Sequence, residues 1–523
     1  FFNDIRLRPG TTQVAPPRIG AGDRRVQLRA ISKKLLALAA LLTVSTVANA
    51  QTDPASIERT IPDFEDKATE EKSRVATPTL PPQTGAQVAG TFVLGAVNIE
   101  GSTVFSSEEL AKSFEPYLAS QVGQAELDKI AADITERYRR EGYVLSYAVV
   151  PKQSVQSGIV RIRVVEGYVY QSRIRGDRRS GTAIYEIIDR LRSERPLRES
   201  TLERTLGLVR DMPGVVLTDV RISRSPQNPA RHQLTITLRA DRTRAIAYTD
   251  NRGTVDGARV RGYSSFGLAS LAVPGDQLQI DLFTIPSDKF RFLYGQAKAS
   301  VPLNADGLRF SLSASRGDQF RRLPGPDQHG KSRQLTADLA YPFVKSRAFS
   351  LIGHASLSDW KSEERRAGAT IQRDRLQVTR GWLEFAHARK VRIDGRLGIS
   401  RGLDLDSATA AGDPLASRPG AGAKFTKVNA QVQVAAPLSK RLLLRVDSSA
   451  QYSTKPLLAP EEFALGGSRI GRAFDFNEAT GDHGIGTMVE LSYRLGDTGR
   501  KLKNLSLFAF VDGGGAFRRR SSP

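Results

Sequence analysis

The stretch 307-GLRFSLSASR-316 places Leu308, Phe310 and Leu312 at every second position, with Arg309, Ser311 and Ser313 between them. Side chains alternate sides along a strand, so this segment has one greasy face and one wet face. The same script recurs in 276-DQLQIDLFT-284, 289-KFRFLYGQAKASV-301, 332-SRQLTADLAY-341, 376-LQVTRGWLEFAH-387 and 441-RLLLRVDSSAQ-451, with Gly, Pro, Asp and Asn in the gaps. From residue 243 onward the text yields about thirteen such strands and no helix. Strands of this kind suit an antiparallel transmembrane β-barrel, lipid outside and water inside. A soluble sandwich or propeller fits less well. The loops are poor in aromatics, and the turns alternate short (303–306) with long (403–424). Single-chain bacterial barrels close with an even number of strands. An odd count, with 518-RRRSSP-523 as the last residues, leads us to expect a C-terminally truncated barrel spanning 243–523.

The N-terminal end supports export. Residues 24-RRVQLRAISKK-34 are basic, 35-LLALAALLTVSTV-47 apolar, and 48-ANA-50 supplies Ala48 and Ala50 in the small-x-small pattern of signal cleavage. The apolar run is too short for a permanent membrane helix. Residues 1–50 therefore read as a signal peptide with an upstream extension, since residues 1–23 precede the basic region and do not begin with Met. The chain of 523 residues has no cysteine, in keeping with an oxidising compartment. Its net charge is +22, of which +16 remains once the leader is removed. A basic surface attracts nucleic acid and anionic lipid alike. After export, outer-membrane phospholipid and lipopolysaccharide become the expected partners, and nucleic acid does not.

Residues 51–91 are polar and rich in Pro, Thr and Gln, and read as a linker. Within them 54-PASIERTIPDFEDK-67 makes a short helix interrupted at Pro62. Two units with one element order follow, covering 92–167 and 168–242. In the first, the strand 92-FVLGAVNIEG-101 precedes a helix opened by Ser106 or Ser107. A second helix has Leu127, Ile130, Ala131, Ile134 and Tyr138 on one face, and strands 144–152 and 158–167 close the unit. The second unit repeats strand, helix, helix, strand, strand, and Glu166-Gly167 falls where one unit should end.

This arrangement resembles the two-partner secretion transporters of the outer membrane (TpsB, the haemolysin and filamentous-haemagglutinin secretion family, ShlB/FhaC/HecB). The strings that carry the resemblance are 97-VNIEGSTVFSSEEL-110, 141-EGYVLSYAVVPKQSVQSGIVRIRVVEG-167, 465-LGGSRIGRAFDF-476 with 481-GDHG-484, and 508-FAFVDGG-514. It spans the chain from the leader to residue 523. The resemblance implies two periplasmic POTRA modules (βααββ, 92–167 and 168–242), a plug helix near 54–67, and a sixteen-stranded barrel whose last three strands are missing here. It implies insertion by the barrel assembly machinery. It also implies an outer-membrane pore that recognises and secretes a large haemolysin- or haemagglutinin-type exoprotein through that partner's N-terminal secretion domain, with activation as a further family role. A lumenal loop between the eleventh and twelfth strands should carry the tip Gly471-Arg472-Ala473-Phe474, with Ala where Gly is common. Its arginine should pair with Asp512 in the wall motif Phe510-Val511-Asp512-Gly513-Gly514.

Other functions fit less well. Gly466 and Gly471-Arg472 approximate a phosphate-binding loop, but Arg472-Ala473 stands where Lys-Ser/Thr is needed and no helix follows. The five histidines, His232, His329, His354, His387 and His483, have no metal-ligand spacing, and no Gly-x-Ser-x-Gly occurs, so no cofactor, metal or catalytic residue is expected. Asp482-His483 lies in the marked loop among turn residues, which favours a structural role over a barrel enzyme. The main alternative is a barrel assembly or insertion factor of the same architecture; two modules rather than more favours secretion.

Overall fold

The computed structural model describes residues 90–155, 157–177, 181–251, 259–405, 407–496 and 505–519. The leader with Ala48 and Ala50, and the helix expected at 54–67, lie outside the described residues.

The first module contains β1 (Phe92–Val93), β2 (Ala96–Glu100), α1 (Ser107–Ala111), β3 (Gln121–Val122), α2 (Gln124–Arg140), β4 (Tyr147–Val149) and β5 (Ile159–Val165). The single strand expected over 92–101 is two. Leu94, fully buried, ends a short ribbon of β1 with β3, while β2 runs parallel to β5 in a three-stranded sheet ordered β2-β5-β4. Ser106 caps α1 in a reciprocal box with Glu109, and the apolar face of α2 packs Leu127, Ile130, Ile134 and Tyr138 onto the sheet. Glu166 ties the module together. Its carboxylate accepts from the Thr103 and Val104 N–H groups (2.7 and 3.1 Å) and from the Tyr138 hydroxyl (2.7 Å). Burial pushes that phenol well above its ordinary pKa.

The second module has β6 (Tyr168–Gly176), α3 (Gly181–Ser193), α4 (Glu199–Asp211), β7 (Gly214–Arg224) and β8 (Arg231–Asp241). Its sheet is ordered β6-β8-β7, with β6 parallel to β8 and β7 antiparallel. Strand order and sense thus repeat those of the first module.

Among the described residues thirteen antiparallel strands then form one sheet in simple meander order. They are β9 (Thr243–Asp250), β10 (Arg261–Ala269), β11 (Gln277–Ile285), β12 (Phe290–Pro302), β13 (Arg309–Arg321), β14 (Gln328–Lys345), β15 (Phe349–Arg366), β16 (Ala369–Ala388), β17 (Arg392–Leu403), β18 (Thr426–Pro437) and β19 (Leu442–Ser453). After a separate ribbon of β20 (Phe463–Leu465) with β21 (Ala479–Gly481), β22 (His483–Gly496) and β23 (Leu505–Phe517) complete the sheet.

Register shows that the sheet is inside-out. Leu282, Leu293, Leu312, Leu357, Leu383, Leu397 and Ile485 fall on one continuous face and are all exposed. Asp281, Ser300, Ser311, Ser332, Ser356, Ser358, Ser400 and Glu490 lie on the other and are buried. Water would drive the opposite distribution. Hydrocarbon outside a polar interior accounts for it.

The second module sits on one end of this sheet. Arg204 donates to the carbonyls of Pro342 (2.7 Å), Phe343 and Asp306 (both 3.2 Å), and Arg190 pairs with Asp306. Lys345 pairs with Asp211, and the Ser270 hydroxyl donates to the Pro213 carbonyl (3.1 Å). All the turns involved, 270–276, 303–308 and 346–348, follow even-numbered members of the meander and so share one rim. Asp276 closes the first of them. Burial alone would raise its carboxyl, but N–H groups of Val273, Ala272 and Leu271 hold it below the usual range.

Candidate functional site

The segment between β19 and β22, the eleventh and twelfth strands of the sheet, folds back over the inner face of the wall. Inward-facing residues of β22 and β23 include Met488, Glu490, Phe510 and Asp512, paired Met488↔Asp512 and Glu490↔Phe510. On β19, Asp447 sits opposite Met488 and Arg445 opposite Glu490. Three carboxylates thus line one patch of wall.

The loop tip meets that patch. The N–H groups of Gly471 and Arg472 both donate to Asp512 Oδ2, each at 2.8 Å. The guanidinium does not pair with Asp512. It donates to Glu490 Oε2 at 2.7 Å and lies over the Phe510 ring, with Cζ 4.7 Å from the centroid. The expected ion pair is therefore corrected: the strand is right, the atoms differ. The turn at the tip aims two backbone donors at Asp512, which leaves the long side chain to reach the neighbouring strand. Arg469 adds a forked contact to Asp447 at 2.9 and 3.2 Å.

Glycine permits the tip. Gly466 has φ +105°, and a Cβ there would stand 1.9 Å from the Asp475 carbonyl oxygen. Gly471 is likewise left-handed at φ +80°, whereas Ala473, the departure from the family's tip, is not among the positive-φ residues and stands unstrained. On the wall, Gly514 has no side chain because Leu465 of the ribbon packs against it. A Cβ would meet that side chain at 2.9 Å and the Ile485 carbonyl oxygen at 2.4 Å. Phe463, Leu465, Ile470 and Met488 form the resulting apolar seat. Phe474 is 62% exposed at the tip, and the ring that makes the contact is Phe476, under the Arg261 guanidinium of β10 (4.8 Å).

A second anchor was not visible in the sequence. Arg418, in the loop between β17 and β18, grips Asp482 with both guanidinium nitrogens (2.6 and 2.8 Å) and also reaches Glu462 (3.1 Å). Asp482 further accepts from the N–H of Leu457 and of Arg519, each at 2.7 Å. Adjacent Glu461 is held by Arg380 of β16 and Lys427 of β18. Leu457 and Leu458 are fully buried against Trp360, Leu376, Val378 and Phe425. His483 stacks on Tyr452 (4.7 Å), and its Nδ1 accepts from the Ser453 N–H (3.2 Å). Asp482 and His483 thus each have structural partners; the only sequence signal for this anchor was Asp482-His483 inside a glycine-flanked loop.

The chain matches known proteins in sequence and fold. The model for the haemolysin secretion/activation protein ShlB/FhaC/HecB matches residues 233–523, and that for the ShlB-type POTRA domain matches 92–167. The chain belongs to the ShlB/FhaC/HecB family. The heme/hemopexin transporter protein HuxB of Haemophilus influenzae (strain 86-028NP) is 22% identical over 408 residues, covering 74% of this chain and 70% of its own. Among solved structures, CdiB from Escherichia coli superposes with a TM-score of 0.70 at 17% identity, over 92% of this chain and 90% of its own. CdiB from Acinetobacter baumannii gives 0.63 at 15% identity, over 92% and 91%. Both support the barrel fold. As a member of the ShlB/FhaC/HecB family, the chain is a two-partner secretion transporter of the outer membrane, with its POTRA domain in the periplasm, and it exports a TpsA-type exoprotein.

Proposed function

We propose that residues 168–242 form a second POTRA module, that both modules dock the exoprotein's secretion domain, and that the β19–β22 loop is the element a passing chain displaces. One observation carries this reading: the loop lies across the inner wall and is fastened there at Asp447, Glu490, Asp512 and Arg418. A chain threading the lumen has to compete with those contacts. The outer strands of the two small sheets offer edges on which an extended segment can add as a further strand. No nucleotide is available outside the inner membrane, so folding of the exoprotein at the surface supplies the bias. The barrel assembly machinery inserts the transporter, and outer-membrane lipid covers its apolar face; the proposal assigns it no catalytic step.

The test is co-expression with the cognate exoprotein. Deleting 92–242 should abolish the exoprotein in the medium while the barrel remains in the outer membrane. Export at the undeleted level would refute the docking role.

A further inference from the structure

The rim that carries the second module is unequally charged. Beneath the module, charges are matched across the junction, Asp306 to Arg190 and Lys345 to Asp211. Further round, the turn between β16 and β17 carries Arg389 and Lys390, and the turn between β18 and β19 carries Lys440 and Arg441. All four are exposed, and none makes an ion pair among the described residues. At the opposite end of the strands some exposed cations have acids beside them, Arg316 with Asp318, Arg365 with Glu363 and Lys424 with Asp404, while others such as Arg322 and Arg366 make no ion pair among the described residues. The two periplasmic turns gather four such cations in one stretch of the rim.

The two turns are neighbours. Pairing of Arg392 with Ala435 sets the hairpins side by side, so their tips stand roughly 10 Å apart, two strand spacings. The Arg494 N–H donates to the Arg441 carbonyl (2.7 Å), fixing the second turn against β22. Large exposed residues adjoin the cations: Leu438 at 57% exposure, and Tyr493 at 41% on the same outward face as Leu491 and Ile485. Aromatic residues of a membrane barrel collect where hydrocarbon gives way to headgroups. Cations at that level face phosphate oxygens.

We propose that Arg389, Lys390, Lys440 and Arg441 form a binding site for an anionic phospholipid of the periplasm-facing leaflet, the phosphate held between the two turns and the acyl chains along the wall beside Leu438 and Tyr493. The placement selects phospholipid over lipopolysaccharide, which belongs to the other leaflet. It is independent of what the transporter secretes.

The test uses the purified full chain in detergent, offered phosphatidylglycerol, phosphatidylcholine or lipopolysaccharide, with bound lipid counted by native mass spectrometry. Phosphatidylglycerol should be retained in preference, and R389Q/K390Q/K440Q/R441Q should weaken its binding at least about tenfold, as should about 0.5 M salt. Lys424→Gln, at the other end, should leave retention unchanged. Equal retention by the quadruple variant, or preferential retention of lipopolysaccharide, would overturn the proposal. Heat-modified migration on a gel reports folding. If the quadruple variant fails it, K440Q/R441Q replaces it, with a loss of about fivefold expected; undiminished binding there refutes the site equally.

Discussion

Arg472 shows what one side chain can and cannot reveal in sequence. A guanidinium inside a barrel needs a carboxylate, and that much follows from the residue alone. Which carboxylate does not follow, because Asp447, Glu490 and Asp512 share one face of three adjacent strands. The decision is made by the backbone at the tip, whose two N–H groups take Asp512 and leave the side chain for Glu490. Arg472→Ala and Glu490→Gln should therefore lower export to a similar degree, and the double variant should be no worse than about twofold below the poorer single. Asp512→Ala acts through the backbone, so its effect should add to that of Arg472→Ala. Exoprotein in the culture supernatant is the readout. Full additivity for Arg472 with Glu490 would show that the pair contributes nothing to the working state.

Among elements, legibility follows periodicity. The strands and the longer helices of the modules were readable because a period of two or of 3.6 repeats several times within each. The strand at 92–101 misled because it is too short to show that Leu94 leaves one sheet before β2 joins another. The two long loops have no period at all. Their joint anchor brings Arg418 to Glu462 and Asp482, residues far apart in the chain whose side chains are 9%, 0% and 0% exposed. Removing the cation strands two buried carboxylates. Arg418→Ala is expected to cost about 3–5 kcal/mol, seen as a lower melting temperature in detergent and faster proteolysis between 454 and 482. Arg418→Lys keeps the charge but loses the fork, and should fall between the two. A variant that melts and resists protease like the parent would show that the cluster does not hold the loop.

For the molecule as a whole, the inside-out distribution of polarity was legible, since it needs only the alternation and the leader. The junction between the second module and the sheet was not. It depends on Arg204 finding three carbonyls, two at the end of β14 and one in the turn after β12, which no local pattern announces. Arg204→Ala removes those hydrogen bonds together, about 1 kcal/mol each where the carbonyls are shielded from water. The expected outcome is a more mobile module, detected as faster hydrogen exchange in 199–211 with the sheet unchanged. Equal exchange in parent and variant would mean that the Asp306 and Asp211 ion pairs suffice.

The contact of Phe476 with Arg261 joins residues about two hundred positions apart, and Gly471 with Asp512 joins the same loop to the opposite edge of the sheet. Such contacts reward the chain only after most of the wall exists, so the interior cannot act as a nucleus for the exterior. Until β23 is in place the loop lacks its Asp512 anchor and has only its partners on β19, β22 and the neighbouring loop. Contacts of such high sequence separation are therefore expected to form late, with the last strands of the wall.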